Sequence, residues 1–501
     1  MPTVELPKLL KKVRELHALA LATEKKQAKS LQKVHPLYQA SARNLMHYMA
    51  IRSVDLRQVQ EQLSALAISS LTHSEAYTLE NLERIEELIL ALMGERKKNQ
   101  KISRTGGNAN GSLLQQNTAR LFGKTNHPGH TRLMVTMPSE AAEDESLIHA
   151  LVRDGMQIAR INTAHDDVEA WKKMISNIRK ASHRAGKKIR IYMDLAGPKI
   201  RTGEILLNPI AKKASKVGCY LPAGSRILFV APRTKRSAYA SQPYPVMSVG
   251  LSAVFPFVRS GDPISMDDGK FSGKVLACNA HSMLVEILRA PLKDPLLAPE
   301  KGMNFPETHL DIPALSAEDL RHLPFIVKYA DMIGFSFVQN TQDISGLEKR
   351  LKKLGGTMPG LILKIENRKA FENLPRLMLA AMRMPKVGIM IARGDLAVEL
   401  GFMRIAEVQE EILWLAEAAH LPAIWATEIL DSLVKKGKLT RAEISDAVKT
   451  VRAECAMLNK GPFISEGLKL LRDIDIRMSA HEQKKMKTLR SLHIAFQFLQ
   501  D

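Results

Sequence analysis

Short apolar runs, each closed by a polar residue, recur along the chain from about residue 132 onward. LMVT ends at Thr136, QIARIN at Asn162, IRIYMD at Asp194 and MIGFS at Ser336. LILKIE ends at Glu366, GIMIARGD at Asp395, PAIWAT at Thr427 and ECAMLN at Asn459. Such runs are what strands buried on both faces require. Helical patterns such as FENLPRLMLAAM and AEVQEEILWLAEAAH lie between them. The polar ends stand 26 to 32 residues apart, one strand-helix unit each, apart from a single step of 142 between Asp194 and Ser336. Eight units predict an α/β fold, a (β/α)8 TIM barrel whose chemistry sits at the C-terminal ends of its strands. The long step exceeds the others by roughly 110 residues, enough for a small inserted domain.

The remaining texture divides the chain further. Residues 1–94 read as an all-α N-terminal domain, with Leu9, Leu10, Val13 and Leu16 forming a helical stripe. A scaffold packed on the barrel or at a dimer contact is the expected role, ahead of partner recruitment. Residues 95–130, rich in Lys, Arg, Gly and Asn, read as a basic flexible linker. The barrel occupies 131–203 and 307–470. Between them, 204–306 alternates in the β manner and carries a hairpin-like Asp267-Asp268-Gly269 turn, so a small β lid domain over the barrel mouth is expected. Residues 471–501 form a short basic C-terminal tail.

Composition adds limits. A formal charge of +21 favours anionic ligands, but aromatics are only 5% and no basic run is interleaved with them, so nucleic acid is not the expected partner. Cys219, Cys278 and Cys455 are far apart and lack metal-ligand spacing, which fits a reducing cytoplasmic setting. No apolar stretch approaches the ~18 residues of a membrane span.

The charged residues at the strand ends are the candidates for chemistry. Lys364 and Glu366, two apart on a strand, point to one side. Asp395 follows one unit later. Two carboxylates at neighbouring strand ends can hold a Mg²⁺ (or Mn²⁺) with positions left open for substrate oxygens, and the lysine can face the negative charge that the metal stabilises. Arg160 and Arg201 offer donor forks that match phosphate, although either also suits an ordinary ion pair. Thr427 can bond a substrate carboxylate or simply cap the next helix. Ser445 is placed near the same mouth.

These motifs, LKIEN, IMIARGDLAVE, ATEILDSL, TRAEISD, ARIN, DLAGPKIRTG and KGMNFP, resemble those of pyruvate kinase over about residues 131–463. The resemblance implies phosphoryl transfer between phosphoenolpyruvate and ADP. It implies Glu366 and Asp395 as Mg²⁺ ligands, and Lys364 and Arg160 on the transferring phosphate. Gly394, Asp395 and Thr427 would hold the substrate carboxylate, and Asn162, His165 and Arg201 would line the nucleotide and phosphate side. Ser445 would belong to the proton relay. The family's K⁺ site is altered, since Asn162 and Asp194 remain while Ala164 and Leu195 replace two oxygen ligands. Lys199 stands where the family has Glu, so its ammonium, partnered by Asp194, is expected to replace K⁺ and make the reaction K⁺-independent. Glu428, Gln339, the shortened TMPSE loop and MLNKGPFI also depart from the pattern. A catalytically weak homologue acting as a binding or regulatory protein, or a metal-enolate carbon-carbon lyase, are the alternatives. The family's C-terminal effector domain has no counterpart in the pattern, and a homodimer through the barrel is expected.

Overall fold

The computed structural model describes residues 4–68, 71, 74–95, 106–124, 131–209, 218–478 and 493–500. Its centre is a closed parallel barrel of eight strands: β1 (Arg132–Thr136), β2 (Ile158–Ile161), β3 (Arg190–Leu195), β4 (Met332–Phe335), β5 (Gly360–Ile365), β6 (Val387–Ala392), β7 (Ala423–Ala426) and β8 (Cys455–Leu458). Each strand pairs with its sequence neighbours, and β1 closes on β8 with Arg132 opposite Cys455. The polar residue foreseen at each strand end lies within one residue of the observed end, except Asp395. That residue sits three beyond β6, in the first turn of the helix Arg393–Leu400.

Register decides what meets inside the barrel. Thr136 pairs with Arg160 and Arg160 with Tyr192, so these three side chains stand in a row across β1, β2 and β3. Asp194 pairs with Gly334 on β4. Glycine is required there: a Cβ at 334 would lie 1.9 Å from the Tyr192 hydroxyl oxygen and 2.4 Å from an Asp194 carboxylate oxygen.

Between β3 and β4 the chain builds a seven-stranded sheet with its own apolar core, including Phe229, Met247, Phe271 and Val285. The Asp267-Asp268-Gly269 segment joins the strands Pro263–Met266 and Phe271–Cys278 with all three residues at positive φ, the conformation of a tight hairpin turn. Gly269 faces the Phe402 ring, which follows the helix Arg393–Leu400.

The N-terminal helices pack on the barrel's underside, the end remote from the polar strand ends. Helices Leu6–Lys26, Gln39–Arg52 and Thr78–Leu92 share one continuous apolar cluster with the helices around the barrel. Polar contacts fix the join: Val387 N donates to the Tyr38 hydroxyl (3.0 Å), Asn44 Nδ2 to the Ala418 carbonyl (2.8 Å), and the buried His420 ring lies between Ser41 Oγ (3.0 Å) and the Ala76 carbonyl (2.8 Å).

Two segments differ from the sequence reading. Within the expected linker, residues 106–122 form a helix, Gly106–Phe122; the basic run 96–105 lies outside the described residues. The helix is held by tertiary contact. Leu121 (2% exposed) seals the bottom of the barrel against the bare backbones of Gly360 and Gly388, and Asn117 Nδ2 donates to the His420 carbonyl at 2.7 Å. Likewise the expected C-terminal tail contains the end of the helix Ile464–Met478 and a further helix, His493–Gln500, whose Ile494, Ala495 and Phe498 are buried in the main core. Apolar anchors at helical spacing outweighed the basic composition; residues 479–492 lie outside the described residues.

Replacing Leu121 by Ala removes the plug from a site closed by two glycines that have no side chains to fill the space. The expected loss is about 2–5 kcal/mol, read as a lower unfolding midpoint in denaturant.

Candidate active site

The C-terminal ends of the strands surround a cavity of about 140 Å³, whose wall includes Arg160, Asn162, Lys364, Glu366, Asp395 and Thr427. It adjoins a larger cavity of about 380 Å³ that runs toward the inserted β domain and shares Lys199, Phe337, Glu366 and Asp395 with it.

At the floor lies Asp194, 1% exposed. One of its carboxylate oxygens accepts from Arg160 Nε (2.7 Å) and is 2.6 Å from Arg160 Nη2. The other accepts the Tyr192 hydroxyl (2.7 Å) and is 3.5 Å from Lys364 Nζ. Burial pushes the Asp194 carboxyl upward, but the charges of Arg160 and Lys364 outweigh it and hold the group below the usual carboxylate range. Arg160 also donates to Thr136 Oγ1 at 2.9 Å. Its guanidinium is thereby locked between two strands.

Lys364 is pinned in the same way. Its ammonium donates to Ser336 Oγ (2.7 Å) and lies 2.9 Å from a Glu366 oxygen. Burial alone would lower its proton affinity; the carboxylates of Asp194 and Glu366 reverse this and keep it above the normal lysine value. Glu366, 3% exposed, accepts Phe337 N at 2.8 Å through its second oxygen. Its carboxyl is pushed up, chiefly by burial and further by the negative charge of Asp395, against the opposing pull of Lys364. Two carboxylates facing one cavity, the charge of Asp395 felt at Glu366, are a donor set for a hard divalent cation. Among the described residues no cluster of three or more His, Cys, Asp or Glu side chains forms a fuller metal cage.

On the opposite wall the chain leaves β7 in left-handed conformations at Thr427 (φ 68) and Glu428 (φ 56), unusual for non-glycine residues and most of all for a β-branched one. Arg393 holds this turn. It donates to the carbonyls of Ala426 (3.1 Å) and Thr427 (2.6 Å), pairs with Asp446 (2.6 Å) and lies over the Trp425 ring. The result aims Thr427 Oγ1 at Gly394 N, which donates to it at 2.9 Å.

The sequence candidates therefore fall into three groups. Arg160, Asp194, Lys364, Glu366, Asp395, Gly394 and Thr427 are brought together as above. Asn162 and Arg201 line the small cavity, while His165 is exposed and outside its lining, its imidazole pulled below the ordinary value by lost hydration and by the charges of Lys460 and Arg201. Two residues are placed otherwise than expected. Lys199 pairs with Asp395, at 2.8 and 3.0 Å, because Asp194 is already surrounded by Arg160, Lys364 and Tyr192. Ser445 is exposed and its hydroxyl donates to the Arg441 carbonyl of its own helix at 3.1 Å, away from the cavity wall.

A match to the barrel domain of pyruvate kinase extends over residues 129–462. The chain belongs to the pyruvate kinase family. It is 31% identical to a pyruvate kinase of Hypocrea jecorina over 382 residues, 74% of this chain and 66% of that one. To pyruvate kinase 2 of Saccharomyces cerevisiae it is 31% identical over 317 residues, 62% of this chain and 58% of the relative. The chain thus spans 58% to 66% of the length of these relatives. A crystal structure of a pyruvate kinase from Cryptosporidium parvum shares the fold, with a TM-score of 0.60 at 24% identity, covering 74% of this chain and 71% of that one.

Tyr192, Gly334 and Arg393 were not singled out in the sequence. Tyr192 was within reach, because residues two apart on a strand face the same side as Asp194. Gly334 and Tyr192 form a size-matched pair. Gly334→Ala is expected to destabilise by about 1–3 kcal/mol in the parent chain and by less when combined with Tyr192→Ala, which removes the clash with the ring but not the one with the Asp194 oxygen, a partial coupling that thermal unfolding of the four-member cycle measures.

Proposed function

We propose that this chain transfers the phosphoryl group of phosphoenolpyruvate to ADP, giving pyruvate and ATP, with a divalent cation held by Glu366 and Asp395. The observation that carries the reading is the convergence of Arg160 and Lys364 on a cavity that also holds those two carboxylates. Bound there, Mg²⁺ supplies charge neutralisation to the phosphoryl oxygens. Everything else is work for the protein's own groups, since phosphoryl transfer needs positioning and electrostatic stabilisation more than covalent help.

Arg160, fixed by Asp194 and Thr136, presents its free edge to the phosphate. Lys364, kept charged by its carboxylate neighbours, faces both the transferring group and the enolate oxygen that develops as the phosphate leaves. The backbone at Asp395, in the first turn of the helix Arg393–Leu400, receives the substrate carboxylate beside the Gly394 N–Thr427 Oγ1 bond. Because Thr427 Oγ1 accepts from Gly394 N, its own proton is free to point into the cavity. That makes Thr427, and not the distant Ser445, the hydroxyl suited to pass a proton toward the enolate carbon. Asn162, His165 and Arg201 flank the side from which ADP enters.

We further propose that no monovalent cation is needed. The support is the environment of Asp194, whose two oxygens already receive Arg160, Lys364 and Tyr192, together with Ala164 and Leu195 at positions that offer no side-chain oxygen.

A coupled assay with phosphoenolpyruvate, ADP and Mg²⁺ tests the activity. Lys364→Met is expected to lower turnover by roughly 10²–10³-fold, as for loss of a single charge-stabilising donor. Absence of turnover in the parent chain sinks the assignment. In tetramethylammonium salts, addition of K⁺ is expected to leave the rate unchanged; a severalfold rise refutes cation independence.

A further inference from the structure

Asp395 is one of the two carboxylates assigned to the divalent ion, yet both of its oxygens are taken by Lys199, at 2.8 and 3.0 Å. The two side chains are partly exposed, 26% and 17%. The other assigned ligand, Glu366, also has an ammonium beside it, but Lys364 is buried and anchored to Ser336 and Asp194. Lys199 differs: among the described residues Asp395 is the only hydrogen-bond partner of its ammonium, and it lines both cavities. One carboxylate cannot present the same lone pairs to an ammonium and to a divalent ion in contact, and the two cations repel at such range.

The position of Lys199 in the chain gives this contest a mechanical side. Residues 196–201 lead from β3 into the inserted β domain, and the chain returns through Gly302, Met303 and Asn304. The two crossings lie side by side: Met303 N donates to the Ile200 carbonyl (2.9 Å), and Arg201 bridges to Gly302. Both are tied to the helix Arg393–Leu400. The outgoing crossing is tied by the Lys199–Asp395 pair, the returning one by Asn304 Nδ2 donating to Glu399 at 2.9 Å.

We infer that Lys199 is a built-in competitor for the divalent cation at Asp395, displaced when the metal binds, so that metal loading also unties the outgoing crossing of the inserted domain. The inference rests on the reading of Glu366 and Asp395 as metal ligands and adds to it a reason for weak metal affinity in the empty enzyme. The freed ammonium remains on a flexible stem at the wall shared by the two cavities, where it meets anionic substrate oxygens. The metal therefore binds best when such an anion is present to receive Lys199.

The test is direct binding of Mn²⁺ alone to the full-length chain, followed by the electron-paramagnetic-resonance signal of free Mn²⁺, without turnover. Lys199→Met is expected to bind Mn²⁺ about ten- to a hundredfold more tightly than the parent, the range of a charge-assisted hydrogen-bonded pair. Asp395→Asn is expected to bind more weakly than the parent. Equal or weaker Mn²⁺ binding by Lys199→Met, with the Asp395→Asn loss intact, overturns the competition and leaves the metal assignment standing. Parent-like binding by Asp395→Asn overturns both. Should Lys199→Met not fold, Lys199→Gln carries the same comparison. In the parent, saturating Mn²⁺ is expected to speed amide exchange around residues 199–202, and unchanged exchange there overturns the mechanical part.

Discussion

A carboxylate buried at the heart of the barrel governs the rest of the site. Left alone in that environment, Asp194 would cost several kcal/mol of lost hydration, so it is tolerable only within a full set of partners. Arg160, Lys364 and Tyr192 provide that set, and each reaches it through strand register and not through loop flexibility. The same contacts that make Asp194 stable also remove rotameric freedom from the two cations. The precise placing of the two cations therefore follows from the need to satisfy a buried acid. Around it Arg160, Lys364 and Lys199 face Asp194, Glu366 and Asp395, with Arg201 a further cation in the cavity wall. Each acid is thereby met by at least one cation, which offsets part of the cost of burying either sign.

The order of the elements was plain in the sequence because a parallel barrel writes itself as a repeat. Each buried strand is a continuous apolar run, and each ends where the chain meets solvent. The helix Gly106–Phe122 and the helix His493–Gln500 were hidden for the opposite reason. Their surroundings are basic or polar, and only a few anchors, Leu121 and Phe122 in one, Ile494, Ala495 and Phe498 in the other, commit them to the core. What those anchors touch is far away in the chain: two strand glycines for the first, the N-terminal and barrel-side helices for the second. Local periodicity carries no trace of a receptor that distant.

Within the site, strand and strand-end residues were legible, Gly394, Asp395 and Thr427 among them, whereas two residues farther along the connecting segments were not. Lys364, Glu366, Arg160 and Asp194 follow from alternation along strands that the pattern already located. Lys199 and Ser445 lie beyond strand ends, where direction depends on turns. Lys199 was assigned to Asp194 on proximity in sequence, but that carboxylate had no oxygen to spare, whereas Asp395, outside the strand and partly hydrated, did. Ser445 faces away because its helix is capped by Thr440 and turned by the Arg393–Asp446 pair, which fixes the adjacent residue to the site and leaves the serine on the outer face. The constraint that decides each case is the hydrogen-bond capacity of the acceptor, which sequence spacing does not count.

The two ends of the barrel divide the labour of stability and chemistry. Its mouth holds features that cost free energy: left-handed backbone at Thr427 and Glu428, an acid whose proton affinity is raised, and three buried or half-buried ion pairs. Its underside is dense with apolar contacts, where the helical N-terminal domain and the Leu121 plug cover the strand starts. In such barrels the N-terminal face ordinarily serves stability. Here that face is reinforced by a whole added domain whose polar groups, Tyr38, Asn44, Ser41 and the Ala76 carbonyl, bond backbone or buried histidine and touch no part of the cavity. Its position makes a contribution to the chemistry indirect: by holding the strand starts rigid it fixes the register on which Thr136, Arg160 and Tyr192 line up at the other end.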